Sequence, residues 1–246
     1  MSADRSGLRS LVRKLESLHP LTADEKQALL DLPVQVRDLD AGQDIVREGD
    51  RPSRCCLVLD GFAQRYKIVG DGRRQIMSFH IPGDMPDILS LHMAVMDHSL
   101  GILSRSRVGF ISHESLREVI RRHPRVESAL WRDTLVDAAI FREWMVGIGR
   151  RDARARIAHL LCELVTRMEL VGRTESKSVQ TPLTQNNIAD ALGLSTEHVN
   201  RVVQELRAAN LITWQGRTLA INDWDSLKEV GEFDPAYLYL SQEQPP

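Results

Sequence analysis

The sequence predicts an α+β chain: a roll of short strands, then one long helix, then a small helical unit closed by a hairpin. Three observations carry this. Between Val34 and Ile111, short apolar runs alternate with glycines at Gly42, Gly49, Gly61, Gly70, Gly72 and Gly83. From about Arg125 to Val146, helical spacing continues with neither proline nor glycine. Between Leu183 and Ile212, two short helix-like segments are separated by Gly193.

The totals set the frame. A chain of 246 residues is comfortable for two domains, and 42% hydrophobic with 27% charged residues is ordinary globular composition. No apolar run approaches the roughly 18 to 20 residues of a membrane span. The opening Met1-Ser2-Ala3-Asp4-Arg5-Ser6-Gly7 lacks the charged-then-apolar build of a secretory signal. Cys55, Cys56 and Cys162 are too few for a disulfide framework, so a cytoplasmic location is expected, without contact with a membrane. The net charge of −2 does not by itself advertise a nucleic-acid partner.

Leu8, Leu11, Val12, Leu15 and Leu18 follow helical spacing, and Thr22 with Glu25 forms a capping box for a second helix that ends before Pro33. Strand-like runs follow at Cys55–Leu59, Phe62–Val69, Gln75–Ile81, Leu100–Leu103 and Val108–Ile111. Such spacing indicates a β-sandwich or β-roll rather than a parallel sheet. If Cys55 and Cys56 lie in a strand, their side chains leave on opposite faces. Ser112 caps a short helix that Pro124 ends.

In the long helix, Trp131, Thr134, Ala138, Phe141, Met145 and Ile148 are spaced 3, 4, 3, 4, 3, the repeat of a coiled-coil seam. Leu135, Val136, Ala139, Ile140 and Trp144 beside it are also apolar, which suits contact with both a partner helix and the strand domain. Gly147 and Gly149 are expected to interrupt this helix, with Asp152 capping the next. That next helix shows a core face of Ile157, Leu160, Leu161, Leu164, Val165 and Met168. The basic run Arg150, Arg151, Arg154 and Arg156 reads, taken alone, as a solvated helix start.

The most specific stretch is Leu183 to Ile212. Thr184 caps Gln185–Leu192, Gly193 supplies the turn, and Ser195 caps a second helix whose inner face holds Val199, Val202, Val203 and Leu206. Its outer face shows Thr196, Glu197, Asn200, Arg201 and Gln204 near the N-terminal half, the part that reaches base edges in a major groove. Arg201 suits guanine O6 and N7, and Glu197 suits the amino group of cytosine. The competing reading is an i,i+4 salt bridge between the two on a solvated helix. The turn glycine and capped partner helix favour base reading, with Thr196 and Asn200 beside them.

Thr184, Gln185, Asn186 and Ser195 would turn hydroxyls, amides and free helix N–H groups toward phosphate. Leu211 to Ile221 reads as a hairpin wing, with Arg217 near the DNA backbone. Charges between Thr184 and Ala220 balance, so Arg150 and Arg151 are expected to add phosphate attraction.

With these residues in view, the chain resembles the Crp/Fnr family of bacterial transcription regulators, from about residue 20 to residue 230. Leu194-Ser195-Thr196-Glu197-His198-Val199-Asn200-Arg201 is similar to the family's recognition helix. Gly42, Glu48-Gly49-Asp50, Gly61 and Pro82-Gly83-Asp84 match the glycine turns of its cyclic-nucleotide-binding β-roll, a double-stranded β-helix. The resemblance implies a sensor domain over 1–124, a dimerisation helix over 125–148 and a winged helix-turn-helix over 149–234. It further implies a homodimer on a palindromic operator, usually with a TGA-like core in each half, and RNA polymerase as a protein partner. Thr196 stands where the cyclic-AMP-responsive branch has a second arginine.

The sensor side departs from the pattern. His98 stands where an arginine meets the cyclic phosphate, Asp87 is shorter than the expected glutamate, and Pro86 replaces a glycine. Phe141 and Arg142 stand where small hydroxyl residues meet adenine. An effector pocket would draw on Asp87, His98, Ser99, Phe141 and Arg142, yet a neutral imidazole holds phosphate far less well than a guanidinium, so ordinary cyclic AMP binding is disfavoured. No cofactor is expected. His80, His92 and His98 are too scattered for a metal site, and no four-cysteine cluster exists for iron and sulfur. Two rival classes remain: a cupin-like β-roll enzyme, which would need a His-x-His that is absent here, and a ligand-binding module acting on another protein.

Overall fold

The computed structural model describes residues 2–240. They form two compact units, one running up to Lys67 with Ser78–Ala138, the other joining Ile68–Met77 to Ala139–Leu238.

In the first unit, helices α1 (Ser2–Leu18) and α2 (Ala23–Leu30) precede the strands, and the Thr22–Glu25 capping box forms as expected. The strands are β1 (Gln35–Leu39), β2 (Asp44–Val46), β3 (Arg54–Asp60), β4 (Ala63–Ile68), β5 (Arg74–His80), β6 (Ser99–Ile102) and β7 (Ser106–Ser112). They make two sheets, β1-β7-β3 and β2-β6-β4-β5. The runs β3 to β7 sit where the apolar spacing places them. The edge strand β1 and the three-residue β2 carry little apolar signal: in β1, Gln35, Arg37 and Asp38 are exposed and only Val36 and Leu39 are half-buried.

Strand β3 explains how the unit is layered. Cys55, Leu57 and Leu59 pack under Leu8, Leu11, Val12 and Leu15 of α1, while Cys56 and Val58 turn the other way onto Leu100, Ile102, Val108 and Phe110. Strand alternation thus sends the adjacent cysteines into two separate cores. Both are fully buried, and burial pushes the Cys55 thiol up to about 12, which makes it an inert core residue.

Helix α3 (His113–Arg122) is capped by Ser112, and Pro124 opens α4 (Pro124–Arg150) as its first residue. The expected interruption of α4 does not occur: the helix passes through Gly147 and Gly149 to Arg150. A helical glycine costs only about 1 kcal/mol, and neither glycine has the positive φ that would end a helix. The break falls at Arg151–Asp152, where the Asp152 carboxylate accepts the Ala155 N–H at 2.8 Å.

The second unit is built on α5 (Ala153–Leu170), buried on nearly every side. Around it stand β8 (Ser178–Gln180), α6 (Gln185–Leu192), α7 (Thr196–Ala208), β9 (Ile212–Gln215), β10 (Thr218–Ile221) and α8 (Trp224–Gly231), with a sheet ordered β8-β10-β9. Helix α8 lies so close to α5 that a Cβ on Gly231 would stand 2.7 Å from the His159 backbone nitrogen. A polar knot fills this region: the buried Glu163 carboxylate accepts from Trp144 Nε1 at 3.0 Å, Tyr237 Oη at 2.9 Å and Arg167 Nη1 at 3.3 Å. Among the described residues no helix is long and apolar enough to cross a membrane.

Candidate nucleic-acid interface

Helix α6 starts at a reciprocal cap: the Asn187 N–H donates to Thr184 Oγ1 at 3.2 Å, and the Thr184 N–H donates to Asn187 Oδ1 at 2.9 Å. It stops at Gly193, whose φ of 65° and ψ of 40° lie in the left-handed region that a side chain would strain. Two residues later Ser195 Oγ accepts the His198 N–H at 3.2 Å and starts α7. Val199, Val202, Val203 and Leu206 are buried beneath α7, leaving its polar face outward.

On that face the expected phosphate and base contacts interlock. Thr196 donates its hydroxyl to Asn186 Oδ1 at 2.9 Å, and Asn200 Nδ2 donates to Gln185 Oε1 at 3.0 Å. The start of α6 and the first turn and a half of α7 therefore form one polar surface. Glu197 is exposed, and its own backbone N–H and the Ser195 hydroxyl hold its carboxyl below the usual range. Arg201 is 67% exposed and lies 3.9 Å from Glu205, one turn onward. Its ion pair runs away from Glu197, so the two are not locked to each other. The turn between β9 and β10 carries Arg217, exposed at the tip, and its carbonyl accepts the Thr181 N–H at 2.8 Å.

In the first unit, Asp87, His98 and Ser99 are wired into the protein. Asp87 is buried, accepts the Cys56 N–H at 2.8 Å, and burial pushes its carboxyl up to about 7. His98 is buried, with Nε2 3.1 Å from Arg65 Nε and Nδ1 2.7 Å from Asp97. Ser99 Oγ accepts the Glu48 N–H at 3.0 Å. Phe141 and Arg142 lie on the stretch of α4 in the second unit, half-buried and exposed respectively.

Comparison with known proteins agrees with both halves. A family model described as a Crp-like helix-turn-helix domain matches residues 155–230, and one described as a cyclic nucleotide-binding domain matches residues 36–123. The nitrogen fixation regulation protein FixK of Rhizobium meliloti is 31% identical over 196 residues, covering 77% of this chain and 83% of that protein. The chain belongs to the Crp/Fnr family. The transcriptional activator protein FnrL of Cereibacter sphaeroides is 29% identical over 209 residues, covering 83% of this chain and 84% of its own. The solved structure of FixK2 from Bradyrhizobium japonicum superposes with a TM-score of 0.73 at 24% identity, over 81% of this chain and 98% of that one, and so shares the fold. This Crp/Fnr chain is thus a DNA-binding transcription regulator, not an enzyme, and its fold is the β-roll, long helix and winged helix-turn-helix of the family.

Within the regulator one expected phosphate ligand is elsewhere. Arg151 is 9% exposed, held 2.6 Å from Glu143 and 3.2 Å from Glu232, so its charge is spent inside the unit; Arg150 beside it is exposed. Two arginines, Arg74 and Arg65, escaped the reading of the sequence, and a third, Arg156, is no mere part of a solvated helix start. Arg156 Nη1 donates to the Leu192 carbonyl at 3.1 Å and so braces the end of α6. Arg74 grips Asp190 of α6 through Nε and Nη2 at 2.9 and 2.8 Å, within the second unit. Arg65 occupies the centre of the sensor network. Its signal was the phase of β4: Ala63 and Arg65 are two apart, so a charged side chain shares the inward face with a core alanine.

Proposed function

We propose that this regulator works in the cytoplasm as a homodimer that reads a palindromic operator with α7 of each copy, independently of cyclic AMP, and contacts RNA polymerase from there. The observation that carries base reading is the pair Glu197 and Arg201, exposed on a helix whose start, turn and partner helix are all capped. Dimerisation is supported by the α4 seam: Trp131 is 62% and Met145 70% exposed, Ile148 is exposed, and Thr134, Ala138 and Phe141 are half-buried. The opposite face, with Val126, Ala129, Ile140 and Trp144, is buried within the chain. Paired recognition helices enter successive major grooves, so the half-sites lie about one helical turn apart, roughly 34 Å. The polymerase contact rests on relatives that are named transcriptional activators.

Exposed groups at Thr184, Asn186, Ser195, Arg150 and Arg217, with the half-buried Gln185, are assigned to the phosphates, and Thr196, Glu197, Asn200 and Arg201 to base edges. The test is a contrast between variants on an operator selected from random duplexes. Arg201→Ala should cost about 1 to 3 kcal/mol on the selected site and relax one G·C position per half-site. Arg217→Ala and Arg150→Ala should weaken all duplexes alike and each lower the salt slope by about one. If Arg201→Ala weakens cognate and scrambled duplexes equally, Arg201 touches phosphate and the assignment is wrong. Calorimetry with cyclic AMP should show no binding at micromolar ligand; binding that tightens DNA affinity refutes independence.

A further inference from the structure

Arg65 is a buried arginine, 7% exposed, and its guanidinium is spent on three partners: Nη1 on Asp137 Oδ2 at 2.7 Å, Nη2 on the Pro86 carbonyl at 2.7 Å, and Nε on His98 Nε2 at 3.1 Å. The third bond settles the state of His98. An arginine Nε–H only donates, so His98 Nε2 accepts, the ring is neutral, and Nδ1–H donates to Asp97 at 2.7 Å. Donation runs outward from Arg65 in every direction. The residue at the phosphate-binding position of the family pattern thus serves as an acceptor for an internal cation.

That cation is neutralised by the long helix. Asp137 belongs to α4, one residue before Ala138 of the exposed seam, and Arg65 belongs to β4. Burial would raise the Asp137 carboxyl, but the Arg65 guanidinium outweighs it, with a further pull from Lys14, and the carboxyl is held below its ordinary range. An anionic effector would bring negative charge to a cation beneath the helix; here the helix brings its own carboxylate, tethered and always present. A free anion must first displace Asp137.

We propose that the Arg65–Asp137 bridge, seated on His98 and the Pro86 carbonyl, is a built-in replacement for an effector, holding the seam-bearing stretch of α4 on the β-roll so that the DNA-binding dimer assembles without a small molecule. It deepens the function proposed above and rests on it. A structural ion pair would support stability alone; this one also sets dimerisation and DNA affinity, and its carboxylate is replaceable from solution.

The experiment uses the full-length chain and the selected operator. Asp137→Ala should lower DNA affinity at least about tenfold and weaken self-association in sedimentation, as expected when the competent state becomes a minor one. Sodium acetate, against sodium chloride at equal ionic strength, should restore both, because a free carboxylate can enter the vacated site. Arg65→Met should show the same loss without rescue, and the double variant should lose no more than either single one. Asp137→Asn, equal in size, separates charge from packing and should bind as weakly as Asp137→Ala. Wild-type DNA binding by Asp137→Asn, or additive losses with no acetate rescue, overturns the proposal. If the wild-type chain selects no operator, the DNA reading fails, while sedimentation of the same variants with and without acetate still judges the bridge.

Discussion

Arg65 and Arg201 carry the same side chain to opposite uses. Arg65 lies in the β-roll at 7% exposure with three partners on its guanidinium, while Arg201 stands on α7 at 67% exposure with one loose carboxylate at 3.9 Å. The β-roll pairs its buried charges internally. Lys14 reaches Asp84 at 2.6 Å and Asp133 at 2.8 Å, and although burial works against its charge, those carboxylates hold its pKa above the ordinary value. The recognition surface does the reverse: short amide and hydroxyl bonds order it sideways, and its strongest donors and acceptors face outward. A buried guanidinium whose partners are all protein groups defines one conformation; an exposed one is available to a ligand.

The comparison is broken most severely at α4, which contributes residues to both units. Phe141→Asp with Met145→Asp should yield monomers in sedimentation and lower affinity for a two-half-site operator by about a hundredfold or more, because the second half-site is no longer linked to the first. A double variant that still sediments as a dimer removes the seam from the interface.

Inward polarity is not confined to the roll, and Glu163 sharpens that point. Glu163→Ala removes the carboxylate that accepts from Trp144 Nε1–H and from the Tyr237 hydroxyl, which keeps His159 Nε2 at 3.0 Å, and should cost about 3 kcal/mol in urea unfolding. Glu163→Gln, which keeps an acceptor oxygen, should cost less. Equal losses would mean that packing, not hydrogen bonding, is what the site supplies.

Next in size is the acid response of the roll. Burial drives the His80 pKa from 6.5 down to about 4, against the opposing pull of Asp84 and with the help of Arg65. The unfolded chain therefore takes up this proton first, so the contribution of neutral His80 is complete above pH 6.5 and is lost as pH falls toward about 4. Between pH 7 and pH 5 the wild type should lose about 2 kcal/mol more than His80→Gln. Parallel pH profiles for the two proteins would show that His80 titrates normally.

The smallest effect is at the cap of the recognition helix. Ser195→Ala removes the acceptor for the His198 N–H and should cost about 1 kcal/mol, with Ser195→Asp restoring it. DNA affinity lost in Ser195→Ala with no change in stability would leave Ser195 its phosphate contact alone and remove the cap as a source of stability.

The local rules carried furthest where one residue type has one physical use. Thr22, Ser112, Asp152, Thr184 and Ser195 all cap helices, and Gly193 takes the left-handed turn, because these preferences arise within a few residues of chain. The seam of α4 and the outward face of α7 were legible as period and position. The β8 strand and helix α8 were not read: Ser178-Val179-Gln180 is too short to show alternation, and α8 is held against α5 by the close approach at Gly231.

By itself, then, the sequence determined the architecture, the family and the helix-turn-helix, since caps, turns and apolar periods are local and each leaves a mark on the chain. Only the tertiary structure decided where the charges go. Arg150 and Arg151 are neighbours in sequence, yet one is exposed and the other is enclosed by Glu143 and Glu232. Arg65 meets Asp137, 72 residues away, and His98, 33 residues away. Whether a charge is solvated or paired depends on which distant carboxylate the fold delivers to it, and no local pattern encodes that meeting.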